Sequence, residues 1–156
     1  MINRATGYHN RPDADRNSFI HGFYRTGDVA IFKDGFLHIV DRLKELIKYK
    51  GLQVAPAELE ALLLSHPKID DAAVIGVQDD SQATEVPRAF IVAQPNTQLS
   101  AQEVIDFVQS NLASHKRLRG GVVFVDEIPK SASGKILRKI LRQRVVEDGG
   151  KLQSRL

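Results

Sequence analysis

Residues 41–60 read DRLKELIKYKGLQVAPAELE, and no other stretch restricts the fold so tightly. Asp41, Arg42, Lys44 and Glu45 form a charge cluster at its start. Ile47, Tyr49 and the Leu52/Val54 pair then alternate with Lys48, Lys50 and Gln53. Period-two alternation around a glycine predicts a short hairpin with Gly51 at the turn. Pro56 suits the first turn of a following helix, where its missing N–H is not needed. Glu58 and Glu60 place negative charge near the positive end of that helix. Leu59, Leu62 and Leu63 give it one apolar face, and Pro67 stops it. A basic hairpin is thus joined without slack to a helix. Lys48 and Lys50 share one face of the hairpin, with Arg42 and Lys44 just upstream. That arrangement suits an anion; a solvated hairpin with ordinary surface lysines is the competing reading.

The 156 residues predict one domain with room for an appended tail, and 42% hydrophobic with 26% charged residues fits an ordinary globular chain. The chain has no cysteine, which excludes disulfides, thiolate metal sites and thiol nucleophiles. No apolar run reaches membrane-spanning length. The net charge of +3 is unevenly placed: residues 115–156 hold eleven Lys and Arg against four Asp and Glu. A basic end of this kind suits nucleic acid, a membrane surface or a phosphate-rich small molecule. The aromatics do not interleave with it as a base-stacking platform requires.

Residues 1–22 are polar, broken by Pro12 and two glycines, and show neither helical nor strand period, which predicts a loop or a disordered arm. Thr26-Gly27-Asp28 is a polar turn between apolar flanks. A turn-borne carboxylate can accept two hydroxyl hydrogen bonds, as a ribose offers; the alternative is a turn in which Asp28 bonds its own backbone. Residues 29–40 hold two strand-like runs around Asp34-Gly35, a strong hairpin signal. Residues 69–94 predict two further strands joined by a polar loop over 79–85. Ser100 and Glu103 make a capping box, with Val104, Phe107, Val108 and Leu112 as the buried helix face. A basic loop, HKRLRGG, and a strand, VVFVDEI, follow.

PKSASGK, residues 129–135, reads as a flexible polar loop, and residues 136–146 as an amphipathic helix. Ile136, Leu137, Ile140 and Leu141 face inward in that reading, and Arg138, Lys139 and Arg142 outward. Gly134-Lys135 at a helix start suits a phosphate. It is not a Walker loop, because the first glycine and the Ser/Thr after the lysine are missing. A basic surface loop is the competing reading. The five histidines lack metal-ligand spacing, and no metal site is predicted.

In order, GYHNRPDADRNSF, FYRTGDVAIFKDGFLHIVDRLKELIKYKGLQVAPAELE and PKSASGKILRK resemble the carboxy-terminal part of acyl-adenylate-forming (AMP-binding) enzymes. The branch they resemble most contains coumarate–CoA ligases, acyl-CoA synthetases and beetle luciferases. The resemblance implies an α+β fold, a small domain with a short central β-sheet and a β-hairpin flanked by about three helices. It divides the chain into residues 1–41, the last β subdomain of a large AMP-binding domain, residues 42–146, a mobile small domain, and a tail over 147–156. It implies a reaction in which a carboxylic acid and Mg-ATP give an acyl-adenylate and pyrophosphate. The thiol of CoA then displaces AMP to form a thioester, after the small domain has rotated.

The same resemblance assigns roles by position. Asp28 matches the carboxylate that holds the ribose hydroxyls of ATP and the adenylate, and Arg42 the arginine beside it. Lys44 matches the hinge residue. Lys135 matches the lysine that reaches the phosphate and acyl carboxylate oxygens during adenylation. A compact charge on a long stem suits charge developing at the α-phosphate. Lys48, Lys50, Gly51 and Gln53 match the loop that faces the reaction centre during thioester formation, with Lys48 and Gln53 in catalytic roles. Gly51 there gives the pantetheine arm close backbone access. The basic loop of Lys116, Arg117 and Arg119 is a candidate, on charge alone, for the phosphates of CoA.

The 156 residues contain neither the family's Gly/Ser/Thr-rich phosphate loop nor its glutamate-bearing Mg-ATP motif. The isolated polypeptide is therefore expected to have no ligase turnover, with Mg held mainly by a large domain acting as its partner. One other reading competes, a non-catalytic docking or regulatory module acting on a separate adenylating domain. A small nucleic-acid binder, suggested by the basic end, is set aside because the ordered motifs argue against it, and no nucleic-acid partner is expected. Oxidation in the manner of luciferase competes with CoA for the second step. Ser154-Arg155-Leu156 resembles a Ser-Lys-Leu peroxisomal address, so the expected location is the peroxisome, and otherwise the cytoplasm.

Overall fold

The computed structural model of the chain describes residues 7–21 and 23–147. Its first part is more ordered than the sequence predicts. Helix α1 spans Pro12–Ser18, followed by the two-residue strands β1 (Phe19–Ile20) and β2 (Phe23–Tyr24). Pro12 occupies the first turn, Asp13 and Asp15 lie at the positive end, and Asp15 also accepts the Tyr8 N–H at 2.7 Å. These local charges stabilise a short helix where hydrophobic periodicity gives no signal. Strands β3 (Asp28–Lys33) and β4 (Phe36–Arg42) form the expected antiparallel hairpin. Asp34 and Gly35 both have positive φ, the pattern of a tight two-residue turn.

Residues 43–45 turn the chain into a second hairpin, β5 (Ile47–Tyr49) and β6 (Leu52–Val54). Helix α2 (Pro56–Leu64) follows with Pro56 at its start. Leu59 and Leu63 are fully buried, as the apolar face predicts. Ala55, the residue before the helix, offers no side-chain cap. Asp41 replaces it from β4, its Oδ2 accepting the Ala57 N–H at 3.2 Å.

The central sheet has the order β7-β8-β9, from β7 (Ile69–Asp79), β8 (Thr84–Ala93) and β9 (Val122–Phe124). β7 and β8 are antiparallel. Helix α3 (Ala101–Asn111) makes the crossover that lets β9 run parallel to β8. Ser100 caps α3 by accepting the Glu103 N–H at 3.1 Å, and Val104 and Val108 are fully buried. Strand β8 begins earlier than predicted: Thr84 and Glu85 belong to it, and only residues 80–83 turn.

Alternation along β7 and β8 divides the core. Ala72, Val74, Ala89 and Ile91 face one side and pack with Ile47, Tyr49, Val54, Leu59, Leu63, Val104 and Val108. Ala73, Ile75 and Phe90 face the other and pack with Ile128 and Leu141. So β5–β6, α2 and α3 cover one face. The last helix, α4 (Arg138–Glu147), covers the opposite face.

Helix α4 starts two residues later than the sequence predicts. Ile136 instead pairs as a β-bridge with Lys130, and Leu137 donates its N–H to the Pro129 carbonyl at 2.8 Å. Two orientations are also corrected. Ile140 is exposed, whereas Arg138 is half-buried on the face of Leu141 and Val145, at i, i+3 and i+7. The tail over 147–156, with Ser154-Arg155-Leu156, lies outside the described residues from position 148 onward.

Candidate functional site

Asp28 and Arg42 are cross-strand partners at the open end of the β3–β4 hairpin. Arg42 Nε lies 3.4 Å from Asp28 Oδ1. The Asp28 N–H donates to Thr26 Oγ1 at 3.1 Å, and its carboxylate faces the guanidinium. A carboxylate and a cation with exposed edges are therefore side by side. That pair can bind a diol through one member and an anion through the other. Lys44 follows in the exposed turn of residues 43–45, between the two hairpins.

Lys48, Lys50, Gly51 and Gln53 all lie on β5–β6 or its turn, and all four are exposed. Tyr49 is buried between them. Lys50 and Gly51 both have positive φ, +45° and +81°. This is the turn class whose twist matches paired strands, and the sequence signal had pointed to Gly51 alone. The Lys50 ammonium lies 5.6 Å from the centre of the Tyr49 ring and the Arg119 guanidinium carbon 4.6 Å from it. The basic loop after α3 thus meets the hairpin through an aromatic ring carrying two cations.

The members of that basic loop are not equivalent. Lys116 is ion-paired with Glu58 of α2. Arg119 donates to the Ser114 carbonyl at 2.6 Å. Arg117 Nε is buried and has no hydrogen-bond partner among the described residues.

Lys135 stands on the opposite face of the sheet. Its loop is closed by its own bonds rather than being a loose polar segment. The Ser131 N–H donates to the Lys135 carbonyl at 2.9 Å, Lys135 N–H to Ser131 Oγ at 3.2 Å, and Gly134 N–H to the Ser131 carbonyl at 2.8 Å. Gly134, at φ +78°, makes the reversal. Lys135 itself is exposed. Ile128 and Ile136, on either side of the loop, pack into the core with α4. Gly134-Lys135 precedes the helix by three residues, so the loop, not a helix terminus, presents the lysine.

The anchor of this loop was missed from sequence. Arg138 NH2 donates to both carboxylate oxygens of Glu60 at 2.8 Å each, and its Nε to the Val74 carbonyl at 3.4 Å. Glu60 Oε1 also accepts the Val74 N–H at 2.8 Å. Burial pushes the Glu60 carboxyl above the usual range, while the Val74 N–H and Arg138 pull it back. The available signal was an acid in register with Pro56 and Leu63 on the buried helix face, and a base in register with Leu141.

His66 is structural. It is buried, edge-on to Phe107 at 4.7 Å, and its Nδ1 accepts the Lys68 N–H. Among the described residues no group of three or more His, Asp or Glu is placed to hold a metal ion, and no helix is long and apolar enough to cross a membrane.

The α+β fold, with two lysine-bearing loops on opposite faces of one sheet, is that of the carboxy-terminal domain of acyl-adenylate-forming enzymes. The sequence model of the AMP-binding enzyme C-terminal domain matches residues 58–135, half of the chain, and the chain belongs to this family. It is 52% identical over 147 residues to a protein of Emericella nidulans described as an acyl-coenzyme A synthetase, covering 93% of the chain and 26% of that protein. It is 50% identical over 139 residues to luciferin 4-monooxygenase of Luciola mingrelica, covering 88% and 25%. Among solved structures it superposes on o-succinylbenzoate CoA synthetase of Bacillus subtilis in complex with an acyl-adenylate intermediate. There the TM-score is 0.76 and the identity 36%, over 88% of this chain and 28% of that one. The chain spans about a quarter of the length of the curated relatives it matches.

Proposed function

We propose that this chain is the mobile carboxy-terminal domain of an ATP-dependent acid–CoA ligase, working against a large AMP-binding domain. The observation that carries the reading is the placement of Lys135 and Lys48 against opposite faces of the β7–β8–β9 sheet. One reaction centre cannot receive both faces at once. Rotation about Lys44, in the exposed turn between the hairpins, would present them in succession.

In the first pose Lys135 brings its ammonium to the phosphate and acyl oxygens, where charge develops. Asp28 holds the ribose hydroxyls and Arg42 lies beside the nucleotide. In the second pose the β5–β6 hairpin replaces it. Lys48 and Gln53 then face the acyl-adenylate, and the open backbone at Gly51 lets the thiol arm approach. Arg117, on the same side, is assigned to the CoA phosphates; Lys116 is already engaged by Glu58. Magnesium is assigned to the large domain. Residues 1–41 belong with that domain and 42–146 with the lid. Ile31, Phe32, Phe36, Leu37 and Ile39 of β3–β4 are more than half exposed, an apolar surface suited to seating the large domain.

The isolated chain is expected to show no acid-dependent pyrophosphate exchange and to gain it when joined to the large domain. Exchange by the isolated chain, or none from the joined protein with any acid in a broad panel, overturns the reading. The 50% identity to a luciferin monooxygenase favours one second reading, oxidation of the adenylate in place of thioester formation. Chromatography of the CoA product separates the two. A peroxisomal address at Ser154-Arg155-Leu156 is also proposed, and a fluorescent reporter carrying the last ten residues tests it.

A further inference from the structure

We propose that Thr84 and Glu85 are positioning residues for thioester formation, acting through the backbone of the Lys48–Gln53 hairpin. The inference rests on the reading that this hairpin serves the second half-reaction. It begins from the hydrogen-bond pattern of β5–β6. Ile47 pairs with Val54, Lys48 with Gln53 and Tyr49 with Leu52 around a two-residue turn. In such a hairpin the residues next to the turn bond to each other, so Lys48 points its own N–H and C=O away from β6. A two-stranded sheet leaves that edge open.

Two side chains of β8 close it. Glu85 Oε2 accepts the Lys48 N–H at 2.9 Å. The Thr84 hydroxyl donates to the Lys48 carbonyl at 2.9 Å and accepts the Lys50 N–H at 2.8 Å. Thr84 is 7% exposed, so water does not readily take its place. Gly76 of β7 makes the space. A Cβ built there would lie 3.1 Å from Glu85 Oε2 and 3.2 Å from Ile47 Cγ2. The bond to Lys50 falls where it is most needed, because a lysine at φ +45° is strained and persists only when its surroundings hold it. The bonds that Thr84 and Glu85 make to the hairpin all go to its backbone. Their effect passes through the position of Lys48 and Gly51, where a displacement near 1 Å costs on the order of 100-fold in a bimolecular displacement.

The test uses Thr84→Val and Glu85→Ala, with Thr84→Ser and Glu85→Gln as variants that keep the acceptor. Amide exchange on the 156-residue chain is read at Lys48, Lys50 and, for overall folding, Val74. Thr84→Val should speed exchange at Lys50 and Glu85→Ala at Lys48, each at least ten-fold, with Val74 unchanged. In the chain joined to its large domain, both should keep pyrophosphate exchange within two-fold and lose thioester formation at least ten-fold. Thr84→Ser and Glu85→Gln should stay near the parent. Equal loss of both half-reactions, or an unchanged thioester rate where Lys48→Ala abolishes it, overturns the proposal. If Lys48→Ala leaves thioester formation intact, the assignment of the hairpin fails instead, and this proposal falls with it. Should Thr84→Val not fold, Glu85→Ala carries the same comparison.

Discussion

Glu60 of α2 and Arg138 of α4 meet across the free edge of β7, joined by two hydrogen bonds of 2.8 Å. The helices cover opposite faces of the sheet, so this one pair ties together the two sides of the domain. It also closes the edge, because Val74 gives its N–H to Glu60 and its carbonyl accepts from Arg138. Arg138 lies three residues beyond Lys135. The salt bridge therefore anchors the Lys135 loop as well as the core.

Removing the base alone leaves a buried carboxylate without its counter-charge. Arg138→Ala is expected to destabilise the chain by about 3 kcal/mol at neutral pH, read by denaturant unfolding. The pH dependence has a definite sign. Glu60 already titrates above the usual carboxylate range because of burial, and losing Arg138 raises it further. A carboxyl raised in the folded state binds its proton more readily there than in the unfolded chain. Stability is then lost as pH rises from the ordinary Glu value, about 4.3, through the raised one. The deficit of Arg138→Ala should shrink on acidification toward pH 4 and grow above it.

Asp41 makes a tertiary cap. Its Oδ1 accepts the Arg42 N–H at 2.7 Å while Oδ2 takes the Ala57 N–H of α2. No residue next to the helix supplies this bond. Asp41→Ala should cost about 1 kcal/mol in denaturant unfolding, and Asp41→Asn clearly less, since an amide oxygen still accepts. Equal costs for the two would show that the cap contributes little.

Gly51 separates turn geometry from access. At φ +81° an added Cβ meets no atom within 4 Å, so only backbone strain opposes substitution. Gly51→Ala should lose about 1 kcal/mol. Gly51→Asn should recover much of that, because asparagine tolerates the left-handed region. If Gly51 admits the thiol arm, Gly51→Asn in the joined protein stays folded, keeps pyrophosphate exchange and loses thioester formation several-fold.

Much of this architecture was legible because it rests on short-range rules. The β3–β4 and β5–β6 hairpins announce themselves through Asp34-Gly35 and Gly51, α2 through Pro56 and its leucines, and α3 through Ser100 and Glu103. The contacts that hold these pieces together were not legible. Glu60–Arg138 spans 78 positions and Lys48–Glu85 spans 37. Both satisfy sheet edges, and an edge has no signature in a linear pattern until its partners are known. Arg138 reads as an outward base on any charge count, yet it lies in register with Leu141. Helix α1 escaped notice because charge and a proline, rather than apolar spacing, stabilise it.

The most direct test of the two-faced lid compares half-reactions in the chain joined to its large domain. Pyrophosphate exchange reports adenylation, and attack of CoA on preformed acyl-adenylate reports thioester formation. Lys135→Ala should lose exchange at least 100-fold while keeping thioester formation from supplied adenylate within a few-fold, and Lys48→Ala should do the reverse. Equal loss of both half-reactions in either variant would contradict the assignment of one sheet face to each step.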